Sequence, residues 1–98
     1  MPFLIETFDK PGHPGTRSRE RDTHLEFLAR NKVLLLACGA KLDDDGGSAG
    51  GGIYIVDVET REEAERFIAQ DPFAHAGLFE SVKIVRWRKA YVGGTCYL

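Results

Sequence analysis

Val33-Leu34-Leu35-Leu36-Ala37-Cys38-Gly39 and Gly52-Ile53-Tyr54-Ile55-Val56-Asp57-Val58 stand at the middle of the 98-residue chain, with a polar, glycine-heavy connector between them. The first run is apolar on both alternating faces, which predicts a buried strand, and the second resumes β character, so the two read as a hairpin. The connector, residues 41–52, predicts a long, mobile tip able to cover a pocket. Its glycines lack the lysine and following helix of a phosphate-binding loop, so flexibility is the expectation.

Outward from the hairpin, each flank carries a helix and then a strand. Upstream, residues 16–31 are rich in helix formers, with Leu25, Leu28 and Ala29 at helical spacing, Glu26 placed to pair with Arg30, and Thr16 or Ser18 as N-cap. Before that helix, residues 3–8 read as a short strand, and Lys10-Pro11-Gly12-His13-Pro14-Gly15 breaks any regular pattern. Downstream, Thr60-Arg61-Glu62-Glu63 has capping-box spacing, Ala64, Phe67 and Ile68 form an apolar stripe, and Asp71-Pro72 ends the helix because a residue before proline avoids the α region. Residues 82–87 read as a further strand and residues 90–98 as a short arm. Two strand-helix-strand halves joined through a hairpin predict a ferredoxin-like βαββαβ protomer of the α+β class, an antiparallel sheet with both helices on one face. The uncovered face then needs a partner, and sheet-to-sheet pairing would bury it and create a cavity.

Composition narrows the possible roles. Thirteen basic against fifteen acidic residues give a net charge of −2, so no basic face for nucleic acid is expected. Residues 33–38 are too few to span a bilayer, and Met1-Pro2-Phe3-Leu4-Ile5 meets Glu6 without the features of an export peptide, so a cytoplasmic location and no membrane are expected. Cys38 and Cys96 have neither metal-ligand spacing nor disulfide density and are expected as reduced thiols, Cys38 as a small buried hydrophobe.

The candidate chemistry rests on His24 and Asp71. An imidazole titrates near neutrality, and a nearby carboxylate fixes its tautomer and favours its charged form, so the two side chains would form a proton-transfer pair if the fold joined them. Arg17 and Arg21 lie along the same helical flank as His24 and would meet an anionic substrate. Phe73 is a pocket-lining candidate. Each residue also has an ordinary role: His24 as a boundary side chain, Asp71 as a turn organiser, the arginines as a solvated face, and Phe73 as core. A metal site imagined from His13, His24, Asp71 and His75 follows no known spacing, and neither metal nor cofactor is expected.

Several segments together carry a family resemblance: Arg21-Asp22-Thr23-His24-Leu25-Glu26-Phe27-Leu28, Cys38-Gly39, Gly52-Ile53-Tyr54-Ile55, Glu62-Glu63-Ala64, Gln70-Asp71-Pro72-Phe73, Gly77-Leu78-Phe79 and Val82-Lys83-Ile84. The chain resembles the YCII-related (YciI-like) domain family over nearly its whole length to about residue 88, which sets residues 1–88 as the domain and residues 89–98 as an arm that would contact a dimer partner. The resemblance implies a homodimeric α+β barrel of ferredoxin-like protomers, with the family's histidine and aspartate, here His24 and Asp71, in an active-site cleft. Relatives include an enzyme that dehydrochlorinates a chlorinated hydroquinone. Where the family often has proline after the glycine of its second strand, this chain has Gly39-Ala40. The expected function is a small acid-base enzyme of lyase, dehydrochlorinase or isomerase type acting on a phenolic or anionic metabolite. The alternative is a dimeric module that binds a small molecule, or serves an accessory role, without transforming it.

Overall fold

Four strands form an antiparallel sheet in the order β2-β3-β1-β4, with β1 at Phe3–Asp9, β2 at Leu35–Leu42, β3 at Ser48–Val56 and β4 at Phe79–Arg86. The computed structural model describes residues 1–12 and 14–98; His13 lies outside them. Helices α1 (Pro14–Arg30) and α2 (Arg61–Ala69) are interleaved with the strands in the order expected for a ferredoxin-like protomer.

Strand alternation decides which face the helices cover. Phe3, Ile5 and Thr7 of β1 and Tyr54 and Val56 of β3 are buried, and Phe27 from α1 and Ala64, Phe67 and Ile68 from α2 join them in one core. The Phe27 and Phe67 rings meet at 5.1 Å across the two helices. The opposite face carries Leu4 and Phe8 of β1, Ile53 and Ile55 of β3 and Val85 of β4, which share a side of the sheet by register. Phe8 and Val85 there are exposed. Beyond β4, the short strands β5 (Tyr91–Val92) and β6 (Thr95–Cys96) close a hairpin of their own.

The helix starts differ in how far they follow sequence. At α2 the expected capping box forms: the Thr60 hydroxyl accepts from the Glu63 amide and the Glu63 carboxylate accepts from the Thr60 amide, each at 3.2 Å. At α1 the helix begins earlier than expected, which places Thr16 and Ser18 inside it rather than at its N-cap. Its end is set by Asn31, whose side-chain amide donates to the Phe27 carbonyl at 2.9 Å.

Three expectations for the hairpin are corrected. Residues 32–34 form a single 3₁₀ turn, closed by the Leu34 amide on the Asn31 carbonyl at 2.9 Å, so β2 starts only at Leu35. β2 is moreover an edge strand, not a buried one, and Cys38 on it is exposed. Finally, the strands run on to Leu42 and from Ser48, leaving a compact turn in which the Asp43 amide donates to the Gly47 carbonyl at 2.7 Å. The glycines after it serve packing: Gly51 sits at φ +151°, and a Cβ there would stand 1.9 Å from the Thr7 carbonyl oxygen. Only glycine lets β3 approach β1 so closely.

Candidate active site

Asp71 is placed by the break between two helices. α2 ends at Ala69 with Gln70 as its C-cap, and Asp71 in extended conformation becomes the N-cap of a one-turn helix, α3 (Pro72–His75), with proline at its first position. This helix was not anticipated from sequence. The Asp71 carboxylate accepts from the Phe73 amide at 2.9 Å, so the turn-organising role and the site role belong to one side chain.

The cap leaves the carboxylate facing α1, where His24 meets it. His24 Nδ1 lies 2.9 Å from Asp71 Oδ1 and 3.0 Å from Oδ2. The Tyr54 hydroxyl, from β3, donates to Oδ2 at 2.8 Å. Asp71 is wholly buried, and three donors converge on it. A carboxylate surrounded by donors is an acceptor, which assigns the proton of the neutral imidazole to Nδ1 and leaves the Nε2 lone pair free. Among the described residues no buried side-chain nitrogen or oxygen lacks a partner, and Nε2 has none, so Nε2 opens to the cleft beside it.

Phe73 orients the ring from below. Its ring stacks on the His24 imidazole at 4.0 Å and 16°, and the Arg17 guanidinium lies 4.6 Å from its centroid. Arg17 and His24 are two turns apart on α1, roughly 10 Å along the axis, so the phenyl ring fits between them. Arg17 in turn grips Asp9 of β1 with two hydrogen bonds, at 2.8 and 2.9 Å. That bond pushes the guanidinium above its ordinary range, against the opposing effect of burial.

The cleft has a volume of about 270 Å³. Arg21, Leu25 and Leu28 of α1 form one wall, and Gly39 and Ala40 of β2 with Gly52 of β3 form a floor almost without side chains. Arg17, Arg21, His24 and Phe73 therefore border one hollow. A wider basin of about 610 Å³ lies beyond Arg17, between Asp9, Lys10, Ser18 and Ser48, and holds neither His24 nor Asp71. Of the two, the smaller cleft is the one that His24 borders. Among the described residues no group of three metal-ligating side chains assembles, His75 included.

Tyr54 escaped the sequence reading, and Cys38, expected as a small buried hydrophobe, lies at the cleft instead. Tyr54 shares a face of β3 with Val56, and a phenol in a buried run must find a partner for its hydroxyl, which was the available signal. Burial first, then the charge of Asp71 and their hydrogen bond, pushes this phenol well above its ordinary value near 10. Cys38 stands opposite Tyr54 in the β2–β3 register and lines the same cleft. Partial burial of the thiol, helped by the Asp71 charge, pushes it upward as well.

The model of the YCII-related domain matches residues 1–88. An uncharacterized protein from Haemophilus influenzae is 28% identical over 98 residues, which is 93% of this chain and 100% of that one. Among solved structures, the 5-chloro-2-hydroxyhydroquinone dehydrochlorinase of Burkholderia phenoliruptrix, in complex with 2,5-dihydroxybenzoquinone, superposes with a TM-score of 0.81 at 32% identity, covering 90% of this chain and 94% of that one. A Bacteroides thetaiotaomicron protein of the antibiotic biosynthesis monooxygenase kind, 13% identical, matches with a TM-score of 0.57 over 95% and 91% of the two chains, a likeness of fold alone.

Proposed function

The chain belongs to the YCII-related domain family, and on that premise we propose that it is an acid-base enzyme of the lyase type acting on a small phenolic or anionic metabolite, with His24 moving the proton and Asp71 orienting it. One observation carries the reading: His24 Nδ1 is committed to Asp71, and Nε2 opens to the cleft. A neutral imidazole in that tautomer is a general base on the cleft side and, once protonated, a general acid in the same place.

Loss of hydrogen chloride from a chlorinated hydroquinone needs this alternation. The base takes a ring-hydroxyl proton, the electron pair moves through the ring, and a proton is placed on the carbon bearing chlorine. A second hydroxyl then gives up its proton as the C–Cl electrons leave with chloride, and the ring ends as a quinone. The net change is one proton and one chloride lost, with no external oxidant. One imidazole serves each proton step, and Arg21 at the cleft wall offsets the negative charge that builds on the ring oxygens. Arg17 shares its charge with Asp9, so its part is to hold Phe73 and the cleft edge, and Phe73 sets the plane against which the imidazole lies.

The reading includes a homodimer paired across the open sheet face, where Leu4, Phe8, Ile53, Ile55 and Val85 are the apolar contacts, with the arm of residues 89–98 against the second copy. It also includes a cytoplasmic location, in keeping with two free cysteines. No helix among the described residues is long and apolar enough to cross a membrane. Light scattering would report a mass near 22 kDa, twice the chain's 10.9 kDa.

The test is chloride release and quinone absorbance on incubation with 5-chloro-2-hydroxyhydroquinone and related halogenated phenols. Substitution His24→Gln should lower turnover by ~10²–10⁴-fold. Equal turnover in the variant would end the catalytic role. Retention of compounds from a metabolite pool without conversion, unaffected by the loss of His24, would establish the non-catalytic binding module instead.

A further inference from the structure

We infer that Tyr54 is a positioning residue that competes with His24 for the Asp71 carboxylate and so weakens the support Asp71 gives to an imidazolium, with Nε2 available to the cleft. Its consequence for rate rests on the acid-base reading above, but the coupling itself does not.

Asp71 Oδ2 is shared between the Tyr54 hydroxyl at 2.8 Å and His24 Nδ1 at 3.0 Å. Negative charge drawn toward the phenol is no longer available to stabilise an imidazolium on the same oxygen. Of the donors on Asp71, the Phe73 amide is fixed by the α3 cap and the imidazole is the group being tuned, so the phenol is the adjustable one. The pair is cut off from water, since Asp71 is fully buried and Tyr54 only 3% exposed, so the effect of one hydroxyl is not screened away. Burial and the Asp71 charge keep the phenol protonated, which makes it a permanent donor.

The other groups facing His24 are Arg17 and Arg21 from its own helix and Cys38 from β2, with Asp9 of β1 reaching it through Arg17. The arginines also oppose an imidazolium, so Asp71 is the only group among these that favours it strongly, and Tyr54 acts on that one group. Removal of the hydroxyl leaves the ring seated, because Tyr54 meets His24 at 6.3 Å and Phe67 at 6.2 Å edge to face.

The experiment follows the imidazole Cε1–H resonance of His24, assigned with a His24→Gln variant, through a pH titration of the full-length protein. Wild type, Tyr54→Phe and protein carrying 3-fluorotyrosine at position 54 are compared. The midpoint should move upward in the phenylalanine variant and downward with the fluorinated phenol, a stronger donor. A role confined to packing would lower the melting temperature and leave the midpoint in place. An unmoved midpoint in a folded Tyr54→Phe variant, or displacement of both variants in one direction, would overturn the inference. Should Tyr54→Phe fail to fold, the fluorinated protein decides alone, since fluorine leaves the hydroxyl in place. Opposite displacements together with undiminished turnover in His24→Gln would keep the coupling and discard the catalytic reading.

Discussion

Substitution Asp71→Asn separates the two tasks that one side chain performs. The carboxylate makes four short contacts with three donors: Phe73 N and His24 Nδ1 on Oδ1, Tyr54 Oη and His24 Nδ1 on Oδ2. Asparagine caps a helix about as well as aspartate, so its oxygen takes the Oδ1 place and keeps the Phe73 amide bonded. Its NH₂ then occupies the Oδ2 place, where two donors were received. The Tyr54 hydroxyl turns to accept, and His24 Nδ1, 3.0 Å from that NH₂, relieves the donor-donor contact best by passing its proton to Nε2. The fold therefore loses charge-assisted bonds and no more, about 1–3 kcal/mol. For a chain of this size that is a fall of roughly 4–8 °C in melting temperature per kcal/mol. On the proposed acid-base reading turnover falls further, by ~10²–10⁴-fold, because the cleft now faces an N–H where it had a base. Nitrogen-15 shifts of the imidazole read the tautomer directly, and calorimetry reads the stability. A variant that kept the Nδ1–H tautomer, or that lost activity only in proportion to unfolded protein, would refute the assignment.

Three further outcomes follow from the same geometry. The Tyr54 phenol is pushed above its ordinary value near 10, so its contribution to stability is present below that value and is lost as pH rises toward the folded value; in urea titrations the loss in wild type relative to Tyr54→Phe should steepen through about pH 10 toward a limit of about 1.4 kcal/mol per pH unit. Cys38 and Cys96 are both exposed, but desolvation of the Cys38 thiol at the cleft and the Asp71 charge raise it, so iodoacetamide should alkylate it at pH 8 more slowly than Cys96, with the order read by peptide mass mapping; equal rates would contradict the raised thiol. Gly51→Ala sets a methyl group against the Thr7 carbonyl at a backbone angle that side chains avoid, and chemical denaturation should show a loss of at least about 1–3 kcal/mol.

Sequence made the protomer legible because its signals were local. The capping box at Thr60 and the spacing of Ala64, Phe67 and Ile68 belong to single elements, and the order of elements then fixed the sheet. The hairpin was read less well for a reason outside itself. Six apolar residues in a row look buried, yet burial depends on which neighbours the sheet supplies, and β2 has a neighbour on one side only. The glycines before Ile53 looked like slack because the Thr7 carbonyl that demands Gly51 lies 44 residues upstream. His24 and Asp71, 47 residues apart, were proposed as a pair and do meet, on residue chemistry and a family resemblance rather than on spacing. Tyr54 is harder to read: a phenol in a buried run signals that its hydroxyl needs a partner, but nothing local says that the partner is a carboxylate 17 residues further on.

The floor of the cleft has a consequence for how such a site diversifies. Ala40 belongs to a strand with one free margin, and it lines the hollow without belonging to the core. Exchanges there reshape the chamber while the His24–Asp71 pair and its helix cap stay intact. One scaffold can thus be refitted to hold differently shaped molecules, by evolution or by a protein engineer, through changes at a rim whose folding cost is small, with the buried network of His24, Asp71 and Tyr54 inherited unaltered.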